Sequence, residues 1–301
     1  MLLSAANLTV TARAPSGQRM TIVADVSLGV AAGETLGIVG ESGSGKTTLI
    51  RAMLGLLPGV SGEVRFTGGD LRRDTAMIFQ DAVSSLSPRL PVGTLVTEPF
   101  IIHNEPMADR AAKAAELLAT VGLPADFAER YPHELSGGQA RRVGVARALA
   151  LKPKLVIADE PTAGLDVSVQ GEILNLMGDL KRRFGLAYII VTHNLAMIRH
   201  VSDRLAIMYL GRLVEEGPTA EVFANPRHPY TKSLIESEPV PDPRRRRTAA
   251  PLRGESPSIL ARPGGCEFHP RCPSAQARCA AEAPVLTDHG NGRRLSCHFP
   301  L

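Results

Sequence analysis

Apolar residues in this chain gather into short continuous runs. TLGIVG (35–40), AMIFQ (76–80), KLVIAD (154–159) and AYIIVTH (187–193) have strand length, and helical patterns lie between them. That alternation predicts a mainly parallel α/β sheet. Between Asp109 and Gly122, apolar Ala112, Ala115, Leu118 and Val121 recur at helical spacing and Gly122 supplies a stop, so a helical segment is inserted between two strands. RLAIMYLGRLVEEG (204–217) predicts two last strands about a tight turn near Gly211. The opening MLLSAANLTVTARAP predicts a first strand. It has no basic residue before Arg13, and Asn7, Thr9 and Thr11 break its apolar positions, which argues against a secretory leader. No apolar run approaches the roughly 20 residues that span a bilayer, so a cytosolic chain is expected.

The composition changes after Asn225. PVPDPRRRRTAAPLRGESPS (239–258) predicts an extended connector, and its arginines at 244–247 either touch anionic headgroups or form a solvated linker, the plainer reading. Beyond it, GGCEFHPRCPSAQARC (264–279) and Cys297 hold all four cysteines of the protein. With 301 residues, 44% apolar and 21% charged, the chain is expected to form one large domain plus an appendage. A net charge of +4 with 4% aromatics predicts no nucleic-acid partner. There is no fixed-period repeat and no sustained heptad.

The chemistry begins at GESGSGKTT (40–48), which fits the pattern of Gly, four residues, Gly, Lys, then Ser or Thr, between an apolar strand and the helical run LIRAMLGLL. Glycines Gly40, Gly43 and Gly45, with Glu41, Ser42 and Ser44, let backbone N–H groups wrap phosphates. Lys46 can reach the β and γ phosphates, Thr47 can ligate Mg2+, and Thr48 continues the loop into the helix. LVIADE (155–160) then delivers Asp159 to the sheet's C-terminal edge beside that metal, with Glu160 facing an attacking water. LSGGQ (135–139) precedes the helical run ARRVGVARALAL, so Ser136, Gly137, Gly138 and Gln139 form a second helix start suited to an anion. One nucleotide does not need two such helix ends; the second serves a nucleotide held by a partner subunit.

In this order the motifs resemble those of ATP-binding-cassette (ABC) ATPases over about residues 2–225. Residues 40–47 resemble the Walker A loop, Gln80 in MIFQD the Q-loop, LSGGQ the signature, LVIADE Walker B, AGLD (163–166) the D-loop and His193 in VTHN the switch histidine. The resemblance implies a P-loop NTPase domain with a RecA-like core, an antiparallel β subdomain and an inserted helical subdomain at about 84–150. It implies two cassettes sandwiching two ATPs head to tail, Glu160 as catalytic carboxylate, and Lys46 and His193 on the γ-phosphate. Gln80, Thr47 and Asp159 would attend Mg2+, and Asp166 would cross the dimer interface. The chain departs from the family in two places. No aromatic residue precedes Phe66 to stack on adenine, leaving Arg19 or Ile22 to cover the base, and AGLD replaces the commoner SALD.

FQDAVSSLSPRLPVGTLVTEP (79–99), NPRHPYTKSLIES (225–237) and GCEFHPRCP (265–273) are similar to the ATPase subunits of dipeptide and oligopeptide importers. That resemblance implies a second ATPase subunit, identical or related, two integral-membrane permeases, an extracytoplasmic peptide-binding protein, and a place on the cytoplasmic face of the membrane. An importer of nickel or another small solute, a non-transport ABC ATPase and a metal-dependent sensor are the alternatives. The expected domains are a cassette at 1–225, a linker at 226–263 and a cysteine-rich, metal-binding module at 264–301.

Cys266, Cys272, Cys279 and Cys297 follow C-x5-C-x6-C-x17-C. Disulfides are disfavoured in a reducing cytosol, so metal is favoured. The pairs usual for zinc are absent, although His269, His289 and His298 offer mixed ligand sets. Four thiolates suit a four-iron, four-sulfur (4Fe-4S) cluster, and the resemblance to importer ATPases with a cysteine cluster points the same way; zinc and free thiols remain alternatives. A tail too polar to fold on apolar burial would then be tied by its metal.

Overall fold

The computed structural model describes residues 1–81, 84–238 and 254–301; the arginines at 244–247 lie outside the described residues. In chain order the strands are β1 (Leu3–Arg13), β2 (Arg19–Val30), β3 (Thr35–Val39), β4 (Val60–Phe66), β5 (Thr75–Ile78), β6 (Leu155–Asp159), β7 (Ala187–Thr192), β8 (Arg204–Tyr209), β9 (Arg212–Pro218), β10 (Thr287–Asp288) and β11 (Arg294–Leu295). The helices are α1 (Lys46–Met53), α2 (Val92–Ile102), α3 (Arg110–Thr120), α4 (Gly137–Leu149), α5 (Val167–Phe184), α6 (Leu195–Val201), α7 (Thr219–Ala224), α8 (Pro229–Glu236) and α9 (Ala277–Ala281). They belong to two compact units.

The first unit comprises Met1–Leu3, Val30–Glu34 and Phe66–Val191. Its sheet is parallel: β6 runs between β5 and β7, with Ile157 level with Met77 on one side and Ile189 on the other. Every residue of β6 and β7 is buried, as strands covered on both faces must be, which is why they read as unbroken apolar runs. The inserted helix expected between Asp109 and Gly122 is α3. Asp109 caps it by accepting the Ala112 N–H at 3.0 Å, and Gly122 ends it in a left-handed turn at φ +73°.

The second unit comprises Ser4–Gly29, Thr35–Arg65 and Thr192–Leu301. Strand β3 pairs in parallel with β8, and β8 turns back into antiparallel β9 through Leu210 and Gly211, both at positive φ (44° and 80°). This is the left-handed pair that a two-residue hairpin demands. Strands β2, β1 and β4 form a separate three-stranded sheet. In the tail, β11 adds antiparallel to β9, and β10 pairs with β11.

The tail, expected to be too polar to fold on apolar burial, packs a ring and two arginines against the rest of its unit. Phe268 is 1% exposed, packed on Tyr209 and Tyr230 with ring centroids 5.3 Å from each. Two acids of β9 are buried and paired. Glu215 takes Arg293 at 2.5 Å and the backbone N–H groups of Arg227 and His228 at 3.0 and 2.9 Å. Glu216 takes Arg204 at 3.0 Å and Arg294 at 2.8 Å. Buried charges survive only when paired this completely. His228 stays neutral: burial pushes its imidazole down to about 3, and its Nδ1 accepts the Tyr230 N–H at 3.1 Å, capping α8.

Candidate functional site

In the second unit, β3 ends at Val39 and the phosphate loop follows. A Cβ on Gly40 would collide with the Met208 carbonyl oxygen and Ser44 Oγ, so this close passage admits only glycine. Gly43 and Gly45 take positive φ (78° and 93°), and no side chain caps α1 from Gly45. The first N–H groups of α1 are thus turned toward the loop's mouth for a ligand. Lys46 is buried and donates to the carbonyls of Gly40 and Glu41, both at 2.8 Å, folding its ammonium across the loop. Thr47 and Thr48 are half-buried, while Ser42 is exposed. The Ser44 carbonyl accepts the Gly211 N–H at 2.9 Å, so the loop leans on the β8–β9 turn.

Glu41 is held at three points. Its N–H donates to the Tyr230 hydroxyl at 2.9 Å, its carbonyl accepts Lys46, and its carboxylate takes both guanidinium nitrogens of Arg271 at 2.9 and 3.0 Å. Next to Thr48 a cleft of about 630 Å³ is lined by Arg19, Ile22, Val10 and Leu57 with no aromatic side chain. Both residues expected to cover a base therefore face one cleft. His193 is exposed, between Thr192 and Asn194, whose side chain caps α6 by accepting the Met197 N–H at 3.0 Å.

In the first unit, Asp159 ends β6 and is 3% exposed. Glu160 turns the chain in the left-handed region at φ 49°, its N–H donating to the Val191 carbonyl at 2.8 Å. A non-glycine residue held there costs about 1–3 kcal/mol and marks functional positions. Helix α4 starts at Ser136, whose Oγ accepts the Gln139 N–H at 3.3 Å while Gln139 Oε1 accepts the Ser136 N–H at 2.9 Å. The sequence predicted a helix start here without this reciprocal cap; Ser136 and Gly137 are exposed, and Gly138 is half-buried. Asp166 is exposed and caps α5, accepting the Val169 N–H at 3.0 Å, beside Val167, itself 84% exposed.

One residue of this unit was not singled out by sequence reasoning. Arg141, 3% exposed on α4, donates to the carbonyls of Phe79 and Gln80 at 2.9 and 2.8 Å and to that of Ala163 at 3.1 Å. It ties the loop of Gln80 and the turn before Asp166 to the helix that Ser136 begins, with Gln80 itself exposed. Burial pulls its pKa down against the opposing pull of Asp81. Being one arginine in the run ARR, it carried no periodic signal.

The four cysteines form no disulfide and line one small pocket with His269, His298 and Phe299. Burial pushes the Cys266 thiol up to about 11, and those of Cys272 and Cys297 upward too. Gly265 at φ 64° lets the Cys266 N–H reach the Cys279 carbonyl at 2.7 Å. Among the described residues no group of three or more His, Cys, Asp or Glu is arranged to hold a metal ion. The structure thus brings the four thiols to one pocket but does not show the expected metal-binding extension. Each histidine considered as a co-ligand commits one ring nitrogen to a neighbour: Nδ1 of His269 with the Cys266 carbonyl at 2.9 Å, Nδ1 of His289 with Arg227 at 3.3 Å, and Nε2 of His298 with the Glu282 carbonyl at 2.8 Å.

A glycine loop closed by Lys46, an acid-tipped buried strand and a second capped helix start define a phosphate-loop nucleotide hydrolase. Residues 23–163 match the family described as ABC transporter, and residues 214–279 that described as oligopeptide/dipeptide transporter, C-terminal region. The chain is 50% identical over 290 residues, 92% of its length and 82% of the relative's, to a probable peptide ABC transporter ATP-binding protein of Sinorhizobium fredii. It is 42% identical over 295 residues, 93% of its length and 89% of the relative's, to the oligopeptide transport ATP-binding protein OppF of Haemophilus influenzae. Among solved structures, a dimeric post-hydrolysis state of the ATP-binding cassette MJ0796 with ADP and Pi is 30% identical, with a TM-score of 0.64 over 72% of this chain and 98% of that one. The cassette cbiO1 of Clostridium perfringens is 27% identical, with a TM-score of 0.65 over 74% and 90%. The chain belongs to the ATP-binding proteins of ABC transporters, in their oligopeptide/dipeptide branch, and it is an ATPase.

Proposed function

We propose that this chain energises uptake of dipeptides or oligopeptides, as one of two cassettes that bind two ATPs head to tail. The observation that carries the reading is the pair of helix starts. That of α1 opens from the loop of Gly45 and Lys46, and that of α4 opens from exposed Ser136 and Gly137, an anion site offered outward to a second cassette. On this reading Lys46 and the loop amides hold the β and γ phosphates, and Glu160 polarises the water for in-line attack. His193 steadies the γ-phosphate. Thr47, Gln80 and Asp159 would hold Mg2+, which screens phosphate charge, and Asp166 contacts the partner. Arg19 and Ile22 cover adenine in the cleft beside Thr48.

The chain has no helix long and apolar enough to cross a membrane among the described residues. On the same reading two permease subunits carry out the transport step, a second ATPase subunit joins this chain at the cytoplasmic face, and a binding protein on the other side of the membrane delivers the cargo. The cassette at 1–225 and the cysteine module at 264–301 belong to the same reading, while the stretch expected as a linker at 226–263 opens with helix α8 and its buried Tyr230. The test is purification of the intact complex and assay of its ATPase with a peptide-loaded binding protein. Stimulation is expected. Stimulation by nickel-loaded protein alone, or recovery of the chain on ribosomes without permeases, would replace the peptide reading.

The convergence of Cys266, Cys272, Cys279 and Cys297 on one pocket supports a 4Fe-4S cluster held by the four thiolates. Such a group would cross-link the tail. Anaerobic purification is expected to yield iron and acid-labile sulfide in equal amounts, lost in Cys266→Ser or Cys272→Ser. Zinc in their place makes the tail a zinc clip, and a metal-free chain leaves four thiols.

A further inference from the structure

Two segments within residues 214–279, HPYT (228–231) and FHPRCP (268–273), meet at one residue of the phosphate loop. Tyr230 comes from the first turn of α8, and Arg271 from the turn between Phe268 and Cys272. The Tyr230 hydroxyl accepts the Glu41 N–H at 2.9 Å, and Arg271 forks onto the Glu41 carboxylate at 2.9 and 3.0 Å. Beneath them Tyr209, Tyr230 and Phe268 pack as one aromatic cluster, with Tyr209 and Tyr230 4.7 Å apart. Arg271 is 7% exposed and also donates to the Tyr209 hydroxyl at 3.4 Å.

Glu41 poses an electrostatic problem. A carboxylate on a loop built to receive polyphosphate repels its own ligand unless its charge is cancelled locally, and few screening ions reach a partly buried site. Arg271 cancels it with bidentate geometry that a lysine cannot reproduce. The cation persists, because a guanidinium is not deprotonated in proteins. Tyr230 meanwhile fixes the Glu41 backbone, whose carbonyl receives Lys46.

We propose that Arg271 and Tyr230 are positioning residues for nucleotide binding, through which the cysteine tail holds the phosphate loop in its receptive shape and neutralises Glu41. The inference rests on the reading of residues 40–48 as the nucleotide loop and adds a role for the tail in it. Arg271 precedes Cys272, and its N–H bonds the Phe268 carbonyl at 3.0 Å, so the fold of the thiol pocket sets where the guanidinium stands. Any change that disorders the pocket then lowers nucleotide affinity, and bound nucleotide stabilises the pocket to the same degree.

The experiment is calorimetric titration of the full chain with Mg2+ and a non-hydrolysable ATP analogue, beside steady-state ATPase assays. Arg271→Gln is expected to weaken binding about tenfold, with KM raised and kcat nearly unchanged. Arg271→Lys should lose only about two- to threefold, since the charge remains without the fork. Glu41→Gln combined with Arg271→Gln should recover most of the affinity, because no carboxylate is left to neutralise. Tyr230→Phe, which keeps the ring, tests the backbone bond alone and should weaken binding about two- to fivefold. If Arg271→Gln does not fold, Arg271→Lys and the double variant carry the comparison. Binding by Arg271→Gln equal to that of the unaltered chain overturns the inference, as does a double variant as weak as the single one. An unaltered chain that binds no nucleotide sinks the reading of the loop itself.

Discussion

Replacing Glu160 with Gln is expected to reduce ATP hydrolysis by about 10²–10⁴-fold while leaving nucleotide affinity close to its starting value. The amide keeps the size of the carboxylate but cannot accept a proton from the attacking water. The backbone should tolerate the change: Glu160 already sits at φ 49°, and Gln adopts that region with the same strain as Glu. Phosphate release and equilibrium binding on one preparation separate the two effects. A variant that keeps turnover within a few-fold would remove Glu160 from the chemistry and shift attention to neighbouring polar groups. A variant that also loses binding would show that its carboxylate holds the loop and not the water.

Phe268→Ala is expected to cost about 3–5 kcal/mol of stability, the usual loss for a fully buried phenyl ring. The ring lies against Tyr209 and Tyr230, 5.3 Å from each, with His228 at 5.8 Å. Removing it opens a cavity directly beneath the residues that hold Glu41. Phe268→Leu, which fills most of that space, should cost less than about 1.5 kcal/mol. Denaturant midpoints for the three proteins test this. Equal midpoints for Phe268→Ala and the parent would mean that the tail contributes nothing to the core it packs on.

The sequence revealed elements that are apolar throughout or carry strong punctuation. The buried runs of β3, β6 and β7, the α3 segment between Asp109 and Gly122, and the hairpin at Gly211 lie where the pattern put them, to within a residue or two. Strands β2 and β4 were not legible. In β2 the alternation is broken at Asp25, which takes φ 53°, and β4 keeps no residue fully buried. The attachment of the tail was equally hidden. Strand β11 has two residues, too few for any period, and nothing in LVEEG says which cations its two acids meet until Arg293 and Arg294 arrive to pair them. Of the site, the glycine loop, the acids after β6, the helix start at LSGGQ and His193 were named from the fixed order of their motifs. Arg141, Tyr230 and Arg271 could not, because their work depends on backbone carbonyls and a carboxylate that only folding brings near.

The bond between Arg271 and Glu41 spans 230 positions, and that between Arg294 and the Ser27 carbonyl spans 267. Closing loops of that length is entropically slow, so these links form after the local hairpins and helices are in place. A chain emerging from the ribosome therefore completes its glycine loop long before the arginine that balances it has been synthesised. Competence to hold nucleotide should mature as a late event in biogenesis, timed by the tail.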